Sequence, residues 1–220
     1  MTMDARLEKH IDHLIDRYPK LIVCREDIVK AYELLETAYS SGRKLLVSGN
    51  GGSASDSEHI VGELMKSFVL KREINPLLRD SLARQYPEDA DYYLKNLQGA
   101  LPAISLVNEV SLITAFGNDQ SAELAFAQQV LGYGKKGDVL LAISTSGNSA
   151  NVIHAARIAH AMEISVVSMT GESGGRLREL SDVLLNVPLD STNHIQELHL
   201  PLYHAICLAL EQELFGETGG

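Results

Sequence analysis

Two hydroxyl-rich stretches and one His–Glu pair carry the residues of this chain best suited to chemistry. The stretches are Ser48-Gly49-Asn50-Gly51-Gly52-Ser53 and Ser144-Thr145-Ser146-Gly147-Asn148-Ser149. Each follows a short apolar run, 44–47 and 138–143, and each opens into a segment of helical character. A strand that ends in small and hydroxyl residues before a helix makes an anion site. The first N–H groups of the helix point outward unpaired, and the helix dipole favours negative charge there. Glycines let the backbone approach closely, and hydroxyls add donors. An ordinary βα turn with an N-cap serine is the plainer alternative, but four hydroxyls within 144–149 exceed what a cap needs. Two such loops suggest a ligand with a phosphate at one end and polar groups along its length. N–H and O–H donors would hold it, without lysine or arginine.

Just after the first loop, His59 and Glu63 stand at i and i+4, on one helix face about 6 Å apart at their bases. That spacing suits two ligands of one zinc ion, and it equally suits a surface pair. Near the C-terminus, Gln196-Glu197-Leu198-His199 and then His204 add further polar groups. Helical histidines of this kind are as readily core or surface residues as ligands.

The elements that must position these groups follow from periodicity. Leu7, Ile11, Leu14, Ile15 and Tyr18 form a helical stripe that stops near Pro19, and Ile28, Tyr32, Leu35 and Tyr39 form a second before Gly42. Strands are expected at 44–47, 103–107, 138–143, 164–169 and 183–187. Helices are expected at 53–69, 122–132, 150–162, 174–180 and 193–215. Strands that alternate with helices and are apolar throughout make a parallel sheet covered on both faces, with its ligand site at the carboxyl ends of the strands. The two N-terminal helices lack strand partners, so they either cover a sheet face or pair with other subunits. The charged, tyrosine-bearing stretch 71–99, with Pro76 and Pro87, reads as one or two short inserted helices. It is expected beside the ligand cleft, on the outer surface or in a subunit contact.

The chain has 220 residues, 45% of them hydrophobic, most economically one domain over 1–220 with N-terminal helices in 1–42. A net charge of −10 argues against a nucleic-acid surface or an anionic membrane surface. Nothing approaches the ~18 consecutive apolar residues of a membrane span. Residues 1–6 contain no apolar run like a signal peptide. Cys24 and Cys207 lie in no metal-like spacing, so a cytoplasmic protein with two buried thiols is expected.

Taken together, Gly49-Asn50-Gly51-Gly52-Ser53, His59-x3-Glu63, Gly117-Asn118-Asp119, the stretch Ile143–Ser149, Met169-Thr170-Gly171, and Ile195-Gln196-Glu197 followed by His204 resemble the phosphoheptose isomerases of the sugar isomerase (SIS) domain superfamily. The resemblance covers nearly the whole chain. It implies a three-layer αβα sandwich with a five-stranded, flavodoxin-like parallel sheet plus N-terminal helices. It implies conversion of sedoheptulose 7-phosphate to D-glycero-D-manno-heptose 7-phosphate through an enediol(ate), in a homo-oligomer, expected to be a tetramer. Asn50, Gly51, Gly52, Asn118 and Asp119 would contact sugar, with Glu63 and Gln196. Ser53, Ser144, Thr145, Ser146 and Ser149 would cradle phosphate. His59, Glu63, Gln196 and His204 would hold Zn2+, and Glu63 and His204 would serve as acid/base groups. The length of 71–99, His194 where the family commonly has arginine, and Pro201 inside the last helix depart from the family pattern. An isomerase of another phosphosugar, or a non-catalytic SIS protein that binds a phosphosugar or a protein, are the rival readings. Gln196 and His204 stand about 12 Å apart along a straight helix and some 80° around it, so a site shared between subunits is expected.

Overall fold

The computed structural model describes residues 5–216; the outermost ends of the expected 1–220 unit, 1–4 and 217–220, lie outside the described residues. Helices α1 (Ala5–Arg17) and α2 (Arg25–Ser40) flank a 3-10 turn at Pro19–Cys24. Strand β1 (Leu45–Ser48) leads into α3 (Gly52–Met65), and the inserted stretch forms α4 (Pro76–Gln85) and α5 (Ala90–Asn96). Then come β2 (Ala103–Ser105), α6 (Val110–Phe116), α7 (Ala125–Tyr133), β3 (Val139–Ile143) and α8 (Ala150–Ala161). Strand β4 (Ser165–Thr170), β5 (Val183–Asn186) and the long α9 (Thr192–Phe215) complete the chain.

The five strands form one parallel sheet in the order β2-β1-β3-β4-β5. Their side chains alternate between two cores, as the pleat requires. Leu45, Val47, Val139, Leu141, Ile143, Val167 and Met169 face one core, shared with α1, α2, α3 and α9. Leu46, Leu140, Ala142 and Val166 face the other, shared with α7 and α8. The molecule is therefore the expected three-layer α/β sandwich, and the N-terminal helices cover a sheet face: Leu7, Ile11 and Leu14 of α1 are buried in that core. Cys24 and Cys207 are free and buried, as expected. Among the described residues no helix is long and apolar enough to cross a membrane.

Two boundaries and one additional helix stand out against expectation. Helix α3 ends at Met65 rather than at Val69, because Lys66 is extended (φ −134°, ψ 171°) and the chain turns away. Strand β2 stops at Ser105. A further helix, α6, occupies 110–116; its apolar residues Val110, Leu112, Ile113 and Phe116 fall at helical spacing, yet none of its residues is buried. It runs into a π turn over Gly117–Ser121 that holds Asn118 and Asp119.

Candidate active site

The sheet order places a topological switch between β1 and β3: the chain leaves β1 towards β2 on one side and returns to β3 on the other. Ligands of open α/β sheets bind outside the carboxyl ends of the strands at such a point. Both hydroxyl loops emerge there, since β1 ends at Ser48 and β3 at Ile143, paired in parallel register. The side chains of Asn50, in the first loop, and Asn151, at the start of α8, exchange two hydrogen bonds of 2.9 Å. The loops are thus cross-tied over the gap they flank.

Each loop depends on a glycine. Gly51 has φ +57° and is the N-cap of α3; Gly147 has φ +65°, and a Cβ there would stand 2.0 Å from the Gly174 carbonyl oxygen. Neither α3 nor α8 receives a side-chain cap, although Ser149 occupies the N-cap position of α8. The Ser149 hydroxyl instead lies 2.9 Å from the Ser144 hydroxyl, and the Ser146 hydroxyl accepts from the Asn148 N–H at 3.1 Å. Ser144 and Ser53 are buried and Ser146 is exposed. The ordinary-cap alternative for Ser149 is therefore not what the loop adopts.

The first turns of α3 and α9 meet at the other flank of the site. A Cβ on Gly52 would stand 2.4 Å from Gln196 Nε2, so the missing side chain of Gly52 is the space that Gln196 fills. Two helical turns along each helix, the rings of His59 and His204 meet edge to face with centroids 5.0 Å apart. His59 Nε2 lies 3.3 Å from Glu63 Oε1, and Lys66 Nζ lies 2.8 Å from Glu63 Oε2. The Tyr203 hydroxyl donates to Asp56 Oδ1 at 3.3 Å and lies 2.9 Å from His59 Nδ1. The Tyr203 hydroxyl thus bridges His59 Nδ1 and Asp56, while His59 Nε2 faces a carboxylate oxygen of Glu63. His204 Nε2 is buried without a hydrogen-bond partner. His204 also lines a cavity of about 300 Å³ between α1 and α9, with His10, His13, Arg17, Tyr18 and Pro201.

Electrostatics suit these groups to proton exchange. Burial, reinforced by His59, pushes the His204 imidazole below its ordinary range, against an opposing pull from Glu63. His204 is accordingly neutral near pH 7, able to take up a proton. Burial raises the Asp56 carboxyl, while the bond from Tyr203 and the nearby His59 lower it. Burial first, then Asp56, raises the Tyr203 phenol, which keeps it a hydroxyl donor.

The structure thus unites His59, Glu63 and His204 within one chain, but separates Gln196 from them by two turns of α9. Among the described residues, no group of three or more His, Cys, Asp or Glu forms a ready metal cage. His59 and His204 meet within one chain because α3 and α9 pack side by side, while Gln196 and His204 stay apart, as their spacing along the helix led one to expect. Asn118 and Asp119 are exposed and hydrogen-bond each other at 2.8 Å; among the described residues, neither is bonded to a hydroxyl loop. Sequence reasoning missed Asp56, Tyr203 and Asn151. Asp56 sits three residues before His59, on the same helix face, so its spacing was a usable signal; Tyr203 and Asn151 had none beyond adjacency to His204 and the second loop.

Comparison with known proteins supplies a consistent neighbourhood. A family model described as SIS domain matches residues 97–171. A phosphoheptose isomerase of Akkermansia muciniphila is 32% identical over 214 residues, 97% of this chain and 100% of that protein. One of Dechloromonas aromatica is 38% identical over 220 residues, covering 98% of this chain and 99% of its own length. The solved structure of a phosphoheptose isomerase from Neisseria gonorrhoeae, 33% identical, superposes with a TM-score of 0.72 over 96% of this chain and all of that one.

Proposed function

The chain belongs to the phosphoheptose isomerase family, and on that premise we propose that it interconverts sedoheptulose 7-phosphate and the aldose D-glycero-D-manno-heptose 7-phosphate. The observation that carries the reading is the convergence of Glu63 and the neutral imidazole of His204 around His59, on the flank of a cross-tied pair of hydroxyl loops. Moving a carbonyl from C2 to C1 requires a proton to leave C1 and another to arrive at C2. A proton must also pass from the C1 hydroxyl to the C2 oxygen. A carboxylate and an imidazole of suitable pKa can share those transfers through an enediol(ate). In this reading Glu63 and His204 are the acid/base groups. Ser144, Thr145, Ser146 and Ser149, with Ser53 and the free N–H groups of α8, hold the phosphate far from the reacting carbons and so fix the substrate's register. Asn50, Gly51, Gly52 and Gln196 line the sugar path. Asn118 and Asp119 reach it from the exposed π turn.

His59, Glu63 and His204 supply two imidazoles and a carboxylate, the donor types that zinc takes. The closeness of His59 Nε2 to Glu63, and the unpartnered His204 Nε2, support zinc binding by these three; Gln196, packed on Gly52, does not stand with them. When bound, zinc would polarise the substrate carbonyl and offset developing oxyanion charge. The protein's own share is to seat the carbonyl end beside Glu63 and His204 while the loops hold the other end. A cytoplasmic homo-oligomer, a tetramer, completes the proposal; the outward-facing Leu77, Tyr86 and Tyr92 of the inserted stretch support burial against another copy. The test is an isomerisation assay with sedoheptulose 7-phosphate, with and without added zinc. Turnover supports the reading, and its absence under both conditions sinks it.

A further inference from the structure

Helix α3 ends at Met65, nearly two turns past His59, without any of the usual stops. Its last carbonyls have no intrahelical partners, its C-cap Lys66 is extended, and no glycine follows to close the helix. The stop comes from Arg72, together with the Leu101 N–H, which also donates to the Leu64 carbonyl at 2.9 Å. The Arg72 guanidinium donates to the Leu64 carbonyl at 2.6 Å and to the Glu63 carbonyl at 2.9 Å, and its Nε donates to Glu211 Oε1 at 2.7 Å. The Glu211 carboxylate also accepts from the N–H groups of Phe68, Val69 and Leu70 at 2.7, 2.9 and 3.1 Å. Both side chains are fully buried, and the Phe215 ring stacks over the guanidinium, 5.0 Å from its centre. Burial alone would raise the Glu211 carboxyl, but the three amides and Arg72 outweigh it and hold it below its ordinary range.

Placement gives this pair a meaning beyond stability. Glu63, whose carbonyl Arg72 holds, carries one of the two proposed acid/base side chains. Glu211 lies seven residues after His204, two turns along α9 and on nearly the same face. The pair and the His59–Glu63–His204 cluster are therefore two successive contacts between the same two helices. The inserted excursion also hangs here: the Gly99 N–H donates to the Arg72 carbonyl at 3.1 Å, and Gln98 Oε1 accepts from the Ser67 N–H and hydroxyl, both at 2.9 Å.

We propose that Arg72 and Glu211 are positioning residues of the isomerase site, a buried clamp that holds the last turn of α3, at Glu63 and Leu64, against the helix carrying His204. The inference rests on the reading above that Glu63 and His204 exchange the substrate's protons. Arginine is required because only its planar fork reaches two carbonyls and a carboxylate together; lysine is a point donor on a flexible stem.

The test compares wild type with R72K, which keeps the charge, and with R72M/E211L, which removes the pair and leaves the amides of 68–70 and the carbonyls of Glu63 and Leu64 without it. Both variants should keep the KM for sedoheptulose 7-phosphate within twofold, because the phosphate loops are untouched. Their kcat should fall about 10- to 100-fold, the scale of a misplacement near 1 Å. A folded variant with wild-type kcat, or one in which only KM changes, would overturn the proposal. Hydrogen exchange on the full-length protein supplies a readout independent of the sugar. The amides of 68–70 and the last turn of α3 should be strongly protected in wild type and exchange at least tenfold faster in R72K. Wild-type exchange at 68–70 as fast as in the exposed α4 would overturn the clamp even if both variants failed to fold. If wild type shows no isomerase activity while this protection is present, the proposed reaction fails and the clamp does not.

Discussion

His199 should make this protein acid-labile in a defined window. The residue is fully buried in α9, between Gln196 and His204. Its Nε2 lies 3.3 Å from the Thr170 carbonyl oxygen, an acceptor only, so Nε2 carries the proton and Nδ1 is bare. Nδ1 has no partner, and a second proton there would place a charge in a dry site without an acceptor. Burial therefore pushes the imidazole down to about 4 from 6.5, the bond to Thr170 pulling weakly the other way. Because the folded value lies below the unfolded one, the unfolded chain binds more protons between pH 6.5 and about 4. Stability is then full above pH 6.5 and falls as the pH drops through that window. An offset of about 2.5 units is worth roughly 3 kcal/mol when complete, and roughly 2 kcal/mol of it is felt by pH 5. The perturbation is His199→Gln, whose amide N–H can keep the Thr170 bond but cannot titrate. Urea unfolding of both proteins at pH 7.5 and 5.0, at one protein concentration, gives the free energy lost on acidification. Wild type should lose roughly 2 kcal/mol more than the variant. His10, His204 and Glu211 titrate alike in both, so they cancel in this difference. Equal losses in the two proteins would refute a buried neutral His199.

Glu63→Gln keeps the shape of the proposed acid/base group but removes its charge. Turnover should fall by about two to four orders of magnitude, and wild-type turnover at saturating substrate and zinc would remove Glu63 from that role. Ser146→Ala should weaken binding of the phosphorylated sugar by roughly 1.5–3 kcal/mol, the value of one hydrogen bond to a charged group; unchanged affinity in calorimetry takes Ser146 out of the phosphate cradle. Deleting Asn75–Gln98 with a short linker is geometrically mild, since Gly99 already bonds back to Arg72. Substrate affinity or sedimentation behaviour should change in the folded deletion, and constancy of both would make α4 and α5 dispensable elaboration.

What the sequence disclosed and what it hid follow one physical division. Strands β1 and β3 were legible because residues buried on both faces form apolar runs, and β4 because its buried Val166, Val167 and Met169 are broken only by small hydroxyl residues. The hydroxyl loops were legible because everything they need, glycine, serine and the strand before them, is contiguous. The pair His59–Glu63 was legible because helical spacing alone brings it to 3.3 Å. Features made by packing between distant segments were not. The apolar Phe68-Val69-Leu70 reads as more helix, yet α3 stops at Met65 because Glu211, more than 140 residues later, takes those three amides. Helix arithmetic correctly foresaw that Gln196 and His204 point to different places. It could not foresee that α3 would lie alongside α9 in parallel, so that Gly52 meets Gln196 while His59 meets His204. The candidate site is therefore organised by one helix pair: its first turns face the hydroxyl loops, its middle carries the His59–Glu63–His204 cluster, and its far end is tied by Arg72 and Glu211. A substitution at that locked end, remote in sequence from both loops, acts on chemistry through the angle between the two helices.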